Sequence, residues 1–302
     1  MSPGERGRPE PPEIPGLVFA QRQFFLIPVC DNLNMKNNQR EERTMKKNFQ
    51  LGGYLSLLAA IIGIAGHFIL FFQWYIPGMS AESAEPGCEI LLEFIHPGLA
   101  DLGLLASALF LVSAYGFFTR KNWAYILSVI GVVMALLASF FINIPFMAAS
   151  LPPVYFMLFF PYLVLYVLIL RMVGKTPWKL IFLTLGTGVA YIFCFMNGVS
   201  STSRIITVGA PIFKLVVALH WVAMLGWAVI TVGILIRPKE WMRVLGLTAG
   251  VLELIVGLPL AIVTARELGR FSLFALAPVA CLVLVVLFLW PNFWQRTTGA
   301  TE

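Results

Sequence analysis

The residue that most demands a chemical explanation is Glu253, a carboxylate inside the apolar run GLTAGVLELIVGLPLAIVTAREL, residues 246–268. At about 100° per residue of helix, Gly246, Gly250, Glu253, Gly257 and Thr264 fall within roughly 60° of one another. Gly246 and Gly250 form a GxxxG, and a stripe of small residues lets two membrane helices approach closely. Glu253 is therefore expected to point into a helix–helix seam. A carboxyl group there can clasp two helices by a hydrogen bond, or it can bind and release a proton or cation during transport. Pro259, further along the same run, is expected to loosen the helix and free a carbonyl nearby.

Other polar residues accompany it in depth. Counting about 1.5 Å per residue from the basic turns, Glu253 lies roughly 18 Å in, His220 roughly 25 Å, His67, Asp101, Asn143 and Asn197 roughly 28–32 Å, and Lys214 roughly 35 Å. The expectation is a polar wall of His220, Lys214, Asp101, His67, Asn143 and Asn197 in one half of the membrane, with Glu253 deepest. The bland alternative for Lys214, His67, Asp101 and Asn197 is that they mark span ends and snorkel to the interface. Glu253 has too short a stem for that.

The remaining chemistry is sparse. HExxH, P-loop, GxSxG and strand-placed GxGxxG motifs are absent, so no catalytic residue is assigned. His67 and His220 match in depth, as axial haem ligation would require. Two unconstrained histidines also match by chance, so no cofactor is expected. His96, before Pro97, is expected to be solvated in a loop. The cysteines Cys30, Cys88, Cys194 and Cys281 are scattered without a CxxC pair. No disulfide framework and no metal site follow from them, and Cys194 and Cys281 read as small apolar residues within helices.

The elements that must hold these residues are membrane helices. Of 302 residues, 59% are hydrophobic and 12% charged, about half the charge of an ordinary soluble domain. The fold class is all-α: a polytopic integral membrane bundle with eight spans at about 49–76, 98–118, 123–149, 153–172, 178–198, 208–236, 242–264 and 272–291. The net charge of +6 signals topology and not nucleic acid. Thirteen Lys and Arg fall on one side of the alternating segments and three on the other, Arg204, Arg266 and Arg270. Both termini should then be cytoplasmic. The segment GMSAESAEPGCEILLEFIHPG carries four glutamates and no base, so it is expected to be an external loop. Trp123, Trp178, Trp241, Trp290 and Trp294 are expected at the cytoplasmic interface. A bacterial or archaeal plasma membrane is the expected location.

Residues 1–44 are Pro-rich and charged, and read as a disordered extension or as sequence upstream of the true start. MKKNFQ at Met45 resembles a bacterial start, with Met35 and Met1 as the other possibilities. The domain proper is then 45–298, with 299–302 a short tail. The turns TRKNW, GKTPW and RPKEW suggest repeated two-helix hairpins at spans 2–3, 4–5 and 6–7. Basic residues beside a Trp are also what any interfacial turn selects, and that plainer reading is preferred.

Two main functional classes remain open. One is a small-solute or ion permease, proton-linked through Glu253. The other is a non-catalytic scaffold or sensor whose glycine seam, Gly246, Gly250 and Gly257, packs against a second copy or another membrane protein. An integral membrane enzyme comes third, since its polar groups would have to converge at one depth.

Overall fold

A computed structural model describes residues 48–84, 92–207, 209, 211–268, 275–290 and 292–299. The N-terminal extension, Cys30 and Cys88 lie outside them. The helices are α1 (Phe49–Ser83), α2 (Leu92–Phe118), α3 (Trp123–Phe141), α4 (Asn143–Ala148), α5 (Phe156–Leu168), α6 (Trp178–Thr207), α7 (Pro211–Ile236), α8 (Glu240–Leu268), α9 (Leu276–Leu289) and α10 (Phe293–Thr298). A π turn, Ile169–Val173, extends α5. Among the described residues, seven helices are long and apolar enough to cross a membrane, with α3 and α4 counted together and α5 taken with its π turn. The eighth expected span is the shorter α9, Leu276–Leu289. Its 14 residues rise about 21 Å, less than the ~30 Å of a hydrocarbon core.

Several boundaries move outward. α1 runs on through Pro77 to Ser83, and α2 begins at Leu92, before Pro97. The acidic segment expected as a loop is therefore largely helical at both ends. Buried Glu82 explains part of this: its Oε2 accepts from the Leu92 backbone N–H at 2.7 Å. That bond satisfies one of the orphan donors at the start of α2. α8 likewise stays helical through Pro259 to Leu268. The third span is broken at Ile142, where the side chain of Asn143 turns to serve other backbone groups. Trp123, Trp178, Trp241 and Trp290 are exposed, but Trp294 is buried edge-on against Phe288, at 5.4 Å between ring centroids. Its position in the short α10 turns it inward, so it is not part of an interfacial belt.

The helices pack in two rings of four. α1 packs on α2, α2 on α3, α3 on α5, and α5 back on α1; α6 packs on α7, α7 on α8, α8 on α9, and α9 back on α6. The two rings bury the same register. Ala124, Gly131, Val132, Ala135 and Ala138 of α3 are buried, as are the residues 118 positions later in α8: Met242, Ala249, Gly250, Glu253 and Val256. At an offset of 119, Leu158, Tyr162, Leu165 and Tyr166 of α5 match Ala277, Cys281, Leu284 and Val285 of α9. At 117, His96, Gly103, Ala106 and Phe110 of α2 match Phe213, His220, Ala223 and Trp227 of α7. At 131, Gly52, Ser56, Ala59 and Gly63 of α1 match Leu183, Thr187, Ala190 and Cys194 of α6. The offsets differ because both the helices and their connections differ in length. Phe110 lies against Gly131 of α3, and its counterpart Trp227 lies against Gly250 of α8, one position past the counterpart of Gly131.

The described residues thus form two rings of four helices, and the helix pairs at spans 2–3, 4–5 and 6–7 are not the repeating unit. TRKNW and RPKEW are equivalent positions, with Trp123 and Trp241 118 apart, whereas GKTPW joins one unit to the next. The repeat unit is a ring of four because two helices alone cannot close one.

Candidate functional site

Glu253 sits where all four helices of the second ring meet. It is fully buried, as are Asn197 of α6 and His220 of α7. Asn197 Nδ2 donates to Glu253 Oε1 at 2.7 Å. His220 Nδ1 lies 2.9 Å from Glu253 Oε2, forming an ion pair whenever the imidazole is protonated. Both carboxylate oxygens are therefore engaged, each by a different helix. Room for the carboxylate comes from Gly257, one turn along α8: a Cβ there would lie 2.7 Å from Glu253 Oε1 and 3.3 Å from Pro278 Cδ of α9.

Three polar atoms around this core have no protein partner: Asn197 Oδ1, His220 Nε2 and Ser201 Oγ. Ser201 is one turn from Asn197 on α6, hence on the same face. Buried polar groups in proteins are rarely unmatched, and these three lie beside the carboxylate's own hydrogen bonds. Cys194, also on this face, places its thiol 3.8 Å from that of Cys281 on α9. Both are free and buried. The sequence treated them as isolated apolar residues. The spacing of Cys194 three positions before Asn197 is the signal that could have put it at the site.

The glycine stripe does face a seam, but an internal one. A Cβ at Gly246 would strike Phe288 of α9; at Gly250 it would lie 2.5 Å from Val285 of α9 and 3.4 Å from Trp227 of α7. The face expected to receive a partner chain is occupied by the protein's own helices, because α9 returns to close the second ring.

The other expected wall residues separate. Asp101 and Lys214 are exposed on the outside of their helices, so they line no polar wall with Glu253. Asn143 is buried in the first ring, where Oδ1 accepts from Tyr155 N at 3.0 Å and Nδ2 donates to Ser139 O at 2.7 Å. That is a loop-fixing role across the break between α3 and α5. His67 packs onto Gly103, which leaves room for its ring, and faces Tyr155 at 6.0 Å. It belongs to the first ring, whereas His220 is held by Glu253 in the second.

His96 was expected in solvent and is instead fully buried. Its Nε2 is 2.7 Å from Tyr155 Oη, and Phe71, Tyr75 and Phe146 surround the ring. The reason is the earlier start of α2, which carries His96 inside the bundle. Among the described residues, no three His, Cys, Asp or Glu side chains are grouped as metal ligands would be.

The fold and this buried cluster point to one class, a multi-pass helical integral membrane protein. Set against known protein families, curated proteins and solved structures, the chain matches none of them.

Proposed function

We propose that the protein is a small-solute or ion permease, with the Glu253–His220 pair as its proton-carrying centre. The observation that carries this reading is the comparison between the two rings. At the positions equivalent to Asn197, His220 and Glu253, the first ring has Gly66, Gly103 and Ala135. That ring closes with the imidazole of His67 lying against Gly103, neither of its ring nitrogens hydrogen-bonded and no carboxylate facing it among the described residues. The carboxylate with its two hydrogen-bond partners is thus not needed to close a ring of this kind. Ionisable groups inside a bilayer are expensive, and where they persist they commonly mark ion or proton pathways. Paired structural units are also a recurrent feature of transporters.

The chemistry is direct. With Nδ1–H donated to Glu253, the neutral imidazole of His220 keeps Nε2 as an acceptor. A proton arriving at Nε2 gives an imidazolium opposite the carboxylate, so the pair gains one charge without leaving another unbalanced. Asn197 holds the second carboxylate oxygen throughout. The excess of Lys and Arg on one side supports cytoplasmic termini, and the composition fits a bacterial or archaeal plasma membrane.

A second reading has its own support: both oxygens of Glu253 are already hydrogen-bonded, as in a static clasp. Proteoliposomes loaded with a pH-sensitive dye separate the two. An imposed membrane potential should drive proton entry through the wild type, alone or with a small-solute panel outside. Glu253→Gln should abolish it while the protein still folds. Undiminished proton entry through Glu253→Gln would leave only the clasp.

A further inference from the structure

We infer that the groove between α6 and the α9–α10 corner is a binding site for an anionic phospholipid. The groove encloses about 800 Å³ and is lined along its length by Phe182, Val189, Val283 and Leu287. At one end stand Lys179 and Arg296. Both are exposed, and neither has an acidic partner among the described residues.

The shape and the charge select the occupant together. From Lys179 to Val189 the groove follows ten residues of α6, about 15 Å, which is half of a ~30 Å hydrocarbon core. It therefore has the length of one leaflet's acyl chains and opens on the outer face of the helices. Its charged end falls where the chain turns: α9 ends at Leu289, Asn292 adopts a left-handed backbone with φ 61°, and α10 begins at Phe293. The short α10 brings the Arg296 guanidinium to the same end as the Lys179 ammonium. Arg grips phosphate with a planar fork and Lys adds a mobile point charge. Basic pockets between membrane helices hold anionic head groups on this principle. Among the described residues, the first-ring counterpart of Lys179 is Asn48, whose side chain caps α1 by accepting from Leu51 N at 3.2 Å.

The test is native mass spectrometry of the detergent-purified full chain with phosphatidylglycerol and phosphatidylcholine of identical acyl chains. The wild type should retain phosphatidylglycerol preferentially. At about 1 kcal/mol for each basic residue near an anionic head group, Lys179→Gln with Arg296→Gln should lower that preference roughly thirtyfold. Gly186→Phe should displace both lipids, because a Cβ at Gly186 meets only Leu284, at 3.5 Å, and a larger ring projects into the groove. Arg237→Gln with Lys239→Gln removes two bases outside the groove and should leave the preference intact. Equal retention of the two lipids by the wild type, or an unchanged preference in the Lys179/Arg296 variant, overturns the proposal. Loss in the Arg237/Lys239 control shows a general charge effect and overturns it as well.

Discussion

Replacing Glu253 by methionine or by glutamine separates what the buried cluster contributes to stability from what its charge contributes to function. Methionine removes both acceptors at nearly constant volume. Asn197 Nδ2 then loses its 2.7 Å bond and His220 Nδ1 its 2.9 Å bond. Each residue already has another polar atom unmatched, so neither has a ready alternative. Interhelical hydrogen bonds in membranes average about 0.6 kcal/mol and reach about 1.7. Two of them put the loss for Glu253→Met at about 1–3 kcal/mol, part of which is returned because a buried carboxylate no longer has to be desolvated.

Glutamine can still accept from Asn197 with its oxygen. Its amide can donate to His220 Nδ1 if the imidazole takes the other tautomer. Glu253→Gln should therefore cost less than about 1 kcal/mol. Reversible unfolding in mixed micelles, titrated with a denaturing detergent, measures both. Asn197→Ala and the double variant complete a cycle that isolates one bond. If Glu253→Met is as stable as the wild type, the cluster holds nothing together. If Glu253→Gln is as damaging as Glu253→Met, the charge itself is structural and the reasoning from the first ring fails.

Two further outcomes follow from the packing. Gly250→Leu should destabilise the second ring by about 1–3 kcal/mol or more, since even a Cβ would lie 2.5 Å from Val285, and overpacking costs that much; thermal unfolding in micelles would show it. Trp227→Phe should lose no more than about 1.5 kcal/mol by the same measurement, because Phe110 fills the equivalent position in the first ring and the Trp227 indole N–H has no partner to lose.

Some of the site was legible along the chain. The phase of Glu253 with three glycines follows from helical geometry alone, and the structure places the carboxylate in a seam. Depth counting also selected His220 and Asn197. The same counting brought in Asp101 and Lys214, which face outward, because depth says nothing about which way a side chain points around its helix. His96 was misplaced for a related reason: Pro97 reads as a helix boundary, and only the bond from Glu82 to Leu92 shows where α2 starts.

The likeness of the two rings was hidden for a different reason. They share the buried register but not residue identity, so Gly103 stands for His220 and Ala135 for Glu253. Cys194 and Cys281 come together only because α9 closes the ring onto α6.

The sequence by itself determined the class of protein, the approximate helix ends and the stripe on which Glu253 lies, since hydropathy and helical phase are local quantities. The tertiary structure alone decided which residues meet that carboxylate, that the glycine seam is filled from within, and that the described helices form two rings of four. Those depend on how distant helices rotate and pack against one another, and no local pattern encodes that.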